Sequence, residues 1–185
     1  MIFIMPDFDP FNDRPARDIR NALSETMVEN LPTLDFNPIQ QCADKFVAEK
    51  ISPAHRAYID HRLLRYQQVS AILRERKETD PFRQALVLWD AKLFFEVHEI
   101  METLWKKSEG DEKSAYQAMF RAAGTYVHLE QGNEKAARSM AGKAIQGLTT
   151  YADALPSTIN LTQLIAALKQ LAPDPPSLTN ETSIL

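Results

Sequence analysis

The sequence predicts an all-α protein, a compact bundle of about six to seven helices around a central antiparallel helix hairpin. Three observations carry this. Alanine and leucine together number 41 of the 185 residues, against 6 valines, a balance that favours helix over strand. Glycine numbers only 5, too few for the turns of sandwiches, propellers and nucleotide-binding sheets. Apolar residues recur at helical spacing in several segments, separated by proline and by capping residues. A chain of this length buries enough surface to fold without disulfides or structural metal.

The first dozen residues, rich in proline and aspartate, read as an extended arm. Ile19, Leu23 and Met27 place a stripe on a helix from about Arg14 to Asn30, stopped by Pro32. Asn37-Pro38-Ile39-Gln40 reads as a capping box that opens the next helix, and Ser52-Pro53 and Asp80-Pro81 repeat the signal of a cap followed by proline. From Pro81 onward Leu86, Leu93, Val97, Ile100 and Leu104 share one face, with Asp90 as a candidate break. A polar turn over 108–111 leads to a helix bearing Tyr116, Phe120, Ala123 and Val127. Gly132-Asn133 ends it and caps the next, which runs to near Ala154. A last helix spans Leu161 to Leu171. The hairpin over 92–131, closed by the helix from Asn133, is the expected centre, with Trp105, Phe95, Leu104, Phe120, Val127, Met140 and Leu148 as core. Residues 1–80 are expected to form a helical extension packed on a core of 81–172, with 173–185 a mobile tail.

The formal charge of −4 gives no global reason to expect nucleic acid. No apolar run reaches the length of a membrane span, Met1 to Met5 is too short for a signal peptide, and cytoplasm is the default location. The single Cys42 has no ligand-spaced neighbour and is expected to be a buried apolar residue near Ile39 and Phe46.

The segment with the most chemical side chains is Phe94 to Trp105. One helical turn separates His98 from Glu102, and both stand between Phe95 and Trp105 on one face. On the following helix Gln117, Arg121, Gly124 and His128 form a stripe, and Gly124 permits close approach of a neighbour. An antiparallel hairpin would bring His98, Glu102 and His128 together. The zincin pattern is met only in its first half, and the paired Glu-x-x-His of di-iron bundles is absent.

These residues also carry a resemblance. FFEVHEIMETLW, followed by AYQAMFRAAGTYVHLEQGNEKAARSM, resembles an uncharacterised all-helical family, domain of unknown function 309, over about half the chain. The shared pattern is HE-x-x-E-x-x-W, a glutamine early in the next helix, a late histidine and a Gly-Asn turn. Family members usually carry Gly where this chain has Ala118, and an apolar residue or Gln where it has Arg121. The resemblance implies a helical bundle and brings no established activity.

Several readings stay open for function. The leading one is a non-enzymatic protein in which His98, Glu102, His128 and Arg121 form a structural polar network, with no cofactor. The alternative is a mononuclear metal-dependent enzyme of hydrolase or oxygenase type, with Zn, Fe or Mn held by His98, Glu102 and His128 and with Glu99 as candidate base. A variant of the site has Arg121 holding an anion while His98 or Glu102 moves a proton. A third class is an interaction module working through the basic helix over 53–77. There Arg56, Arg62, Arg65, Arg74, Arg76 and Lys77 outnumber Asp60 and Glu75, with Tyr58 and Tyr66 interleaved. A solvated helix face is the plainer expectation for that segment, with His55 exposed. A homo-oligomer is compatible with all of these.

Overall fold

In the computed structural model, residues 7–179 are described. They form eight α-helices and one 3-10 turn, with no strand among them. The helices are α1 Arg14–Asn30, α2 Asn37–Val47, α3 Pro53–Arg76, α4 Pro81–Asp90, α5 Phe94–Lys107, α6 Gly110–Glu130, α7 Glu134–Thr150 and α8 Leu161–Gln170. None is long and apolar enough to cross a membrane. The chain divides into two units, with the boundary between Asp80 and Pro81.

The N-terminal unit is built on α1 to α3. Ile19, Leu23 and Met27 are all buried, as their spacing requires, and α1 packs on α2 and α3. Ser52 caps α3 by accepting from the His55 N–H at 3.1 Å. The capping box read at Asn37 does not form. Phe36 holds the cap position without a side-chain bond, and the Gln40 amide reaches forward to Asp44 instead. Of the expected arm, residues 1–6 lie outside the described residues. Phe8 is buried and stacks on Tyr58 at 3.7 Å. Cys42 is half-buried and free, so it is not the core residue expected.

In the C-terminal unit, α6 packs between α5 and α7, while α4 lies on α5 and α8 on α7. Asn133 caps α7 by accepting from the Ala136 N–H at 3.3 Å, and Gly132 supplies the left-handed turn before it at φ 66°. The α6–α7 approach is very close: a Cβ on Gly147 would lie 2.6 Å from the Ala118 Cβ. Only glycine fits there.

The expected stripe is buried at Leu86, Leu93, Val97 and Ile100, whereas its last residue, Leu104, is half-buried. Phe94, Val97, Ile100 and Met101 are buried and meet an α6 lined by Ala118, Met119, Ala122, Ala123 and Tyr126. Phe95, Leu104, Trp105, Phe120 and Met140 are half-buried, whereas Val127 and Leu148 are in the core as expected. The reason lies in side-chain size. The small residues of α6 and α7 draw the helices together, so that Phe94 and Tyr126 fill the interior while Phe95, Trp105 and Phe120 lie along the margin of the seam.

Asp90 does end α4, but it does not cap α5, whose first turn follows Leu93 without a side-chain bond. Its carboxylate instead binds residues 177–179, and Leu178 is buried. The described part of the expected mobile tail thus rests on the end of α4.

Candidate functional site

The helical repeat of α5 places Phe95, His98, Glu99, Glu102 and Trp105 along the margin of the α5–α6 seam. His98 Cδ2 lies 3.7 Å from the point where a Cβ on Gly124 would stand, and the Met140 Cε of α7 lies nearer at 3.2 Å, so both side chains pack on α6 where the glycine leaves room. Phe95 lies near-parallel to the imidazole at 6.3 Å, and Phe120 meets it edge-on at 5.4 Å. Trp105 continues the row, edge-on to Phe120 at 5.7 Å, with the Lys113 ammonium over its ring at 5.4 Å.

The polar side of the site is local to α5. His98 Nδ1 is 3.3 Å from Glu99 Oε1, and Lys106 Nζ is 3.2 Å from Glu102 Oε1, one turn along the same helix. One ligand atom each from His98, Glu99 and Glu102 lie within 4.8 Å of one another. The three side chains are 25%, 40% and 34% exposed, open enough for exchange with solvent.

His128 is not in that group. It stands half-buried in the last turn of α6, and its carbonyl accepts from Gln131 and Asn133 to end the helix. Arg121 is half-buried on α6, where its carbonyl accepts from the Thr125 hydroxyl at 3.0 Å. The structure brings His98 and Glu102 together with Glu99, the residue read as candidate base, all three on α5.

A carboxylate that the sequence reading passed over, Glu96, is fully buried in α5. Its position carried a signal: it lies three residues after Leu93 and four before Ile100, both on the apolar stripe.

The basic helix is not the solvated face expected. His55, Tyr58, Arg62 and Tyr66 are buried, and His61 and Arg65 are half-buried. His55 Nε2 is 2.7 Å from Asp13 Oδ2, a contact that no local spacing could reveal. The Arg62 guanidinium lies 5.0 Å from the Tyr58 ring centre. Burial first, then the charges of Arg62 and Arg65, push the His61 imidazole down to about 4. Of the six basic residues, Arg56, Arg74 and Lys77 are exposed; Arg56 donates to Asp60 at 3.0 Å and Arg74 to the Leu34 carbonyl.

Residues 82–140 match the profile of a protein family described as Domain of unknown function (DUF309), which spans α4 to α6 and the first part of α7. No curated protein and no solved structure matches the chain.

Proposed function

We propose that this chain, whose residues 82–140 match the DUF309 family, is a non-enzymatic helical protein in which the His98 group sets α5 against α6. The observation that supports this is the seat of the imidazole: its carbon edge lies on Gly124, with Phe95 and Phe120 around it. An imidazole so placed works as a wedge that fixes helix register. Its nearest carboxylate, Glu99, is its own neighbour on α5, and Glu102 is engaged by Lys106.

A second reading is favoured by one observation, the convergence of His98, Glu99 and Glu102 ligand atoms within 4.8 Å. One imidazole and two carboxylates suit Zn(II), Fe(II) or Mn(II), with water completing the shell. On that reading Lys106 would have to release Glu102, and the metal would lower the pKa of its bound water to supply a nucleophile.

The two readings separate in one experiment on the full chain, purified without chelator. Replacing His98 with Ala should cost about 1–3 kcal/mol of stability through the emptied wedge, unchanged by added Zn(II) or by chelator. Elemental analysis should give well under one equivalent of transition metal. Near-stoichiometric metal in the wild-type chain, lost in the His98→Ala variant, would overturn the non-enzymatic reading in favour of the metal centre.

A further inference from the structure

The segment after α8 is held on the end of α4 by contacts that read it as a ligand. Trp89 Nε1 donates to the Pro176 carbonyl at 2.9 Å. The Asp90 carboxylate accepts from the main-chain N–H of Leu178 at 2.7 Å and of Thr179 at 3.1 Å. It also accepts from the Ser177 hydroxyl at 2.7 Å and from the Thr179 hydroxyl. Lys92 Nζ pairs with Asp174 at 2.6 Å, and Leu178 is 2% exposed. Each class of peptide-binding contact is present: a carbonyl fixed by a donor, main-chain amides fixed by an acceptor, an apolar anchor, and an acid paired with a lysine.

Two further features set this strap apart from the fold beneath it. Residues 172–179 form no helix or strand, and side chains of the α4–α5 corner and the buried Leu178 are among the groups that hold them. Below the corner, Trp89, Phe94 and Tyr126 pack ring on ring at 5.0–5.3 Å and form the floor on which the strap lies. Tyr126 is fully buried and its hydroxyl has no hydrogen-bond partner. Burial, and then the nearby charge of Asp174, raise its pKa. The strap therefore leaves one polar group of the floor unsatisfied, and an occupant that met it would have an advantage over the strap.

We propose that the α4–α5 corner of Trp89, Asp90 and Lys92 is a peptide-docking groove, occupied in this chain by its own residues 174–179. The partner it fits is an extended segment of the same chemistry: an acidic residue, a prolyl carbonyl two places on, then Ser-Leu-Thr. Prolines at 173, 175 and 176 keep the strap extended before it docks, and a partner segment needs the same stiffness. The tether to α8 gives the strap a high local concentration, so an outside peptide competes poorly until the strap is loosened. This groove is separate from the His98 group and stands on either reading of that site.

The test uses the full chain and a fluorescent peptide of sequence APDPPSLT, residues 172–179. Leu178→Asp in the full chain removes the apolar anchor of the strap and leaves the groove intact. That variant should bind the peptide at least about tenfold more tightly than the wild-type chain does. Adding Asp90→Asn should remove most of that gain. Equal binding by the wild-type chain and the Leu178→Asp variant, or gain that survives Asp90→Asn, overturns the proposal. Hydrogen exchange on the wild-type chain gives a second reading that needs no variant. The Leu178 and Thr179 amides should exchange at least about 100-fold faster than those of Ala122 and Ala123 in α6, through opening of the strap alone. Exchange as slow as that of α6 would mean that the strap leaves only on unfolding, and would equally overturn the proposal.

Discussion

His61 shows how a single residue can couple stability to pH. It stands half-buried on α3 beside Arg62 and Arg65, and its imidazole is pushed down to about 4, first by burial and then by the two guanidinium charges. In the unfolded chain it titrates near 6.5, so between about 6.5 and 4 the unfolded state binds the extra proton. The neutral form stabilises the fold fully above that window, and the contribution is lost as pH falls through it. The unfolding midpoint should therefore drop between pH 7 and pH 5, and the drop should shrink in a His61→Gln variant. Parallel pH profiles for the two chains would show that other groups are responsible. His98 teaches a different lesson. Its chemistry with Glu102 was legible in the sequence, because one helical turn sets them side by side. The wedge on Gly124 was half legible, since a glycine on the facing stripe announces close approach without saying what approaches it.

Among the elements, the α6–α7 pair has the tightest fit. Ala118 and Gly147 leave no room for one further methyl group, and the Ala118 backbone lies 3.5 Å from where that methyl would stand. Gly147→Ala should destabilise the chain by about 1–3 kcal/mol despite its favourable helix propensity, measured by denaturant unfolding. Gly142, whose added Cβ would meet nothing within 4 Å, is the control. Gly142→Ala should be neutral or stabilising by up to about 1 kcal/mol. Helix boundaries were the part of this level that the sequence carried best. Pro53, Pro81 and the Gly132-Asn133 pair mark the starts of α3, α4 and α7, because these residues act on the backbone beside them. On α5 the stripe through Leu93, Val97 and Ile100 was read correctly, while Phe95, Leu104 and Trp105 were placed too deep. Periodicity finds an apolar stripe, but the stripe on α5 is wide, and the smallness of α6 decided which edge of it went inside.

At the scale of the whole molecule, the boundary between Asp80 and Pro81 separates two units, each with its own buried residues. The second contains the whole DUF309 match and the strap. A fragment of residues 81–185 should fold alone, giving a helical circular-dichroism spectrum and a cooperative thermal transition. A spectrum without helix, or a broad non-cooperative melt, would show that this unit depends on residues before it.

The sequence by itself determined the helical class, the order of the helices, most of their ends, and the family resemblance. Each of these rests on interactions within a few residues: propensity, capping, a proline ring, an i to i+4 spacing. Only the tertiary structure decided what depends on distant partners. It placed Glu99 beside His98 and Glu102, buried His55 against Asp13, and turned Asp90 from a helix cap into the anchor of a segment 87–89 residues away. Such pairings follow from how helices of particular width lie on one another, and nothing in the local pattern of either partner encodes them.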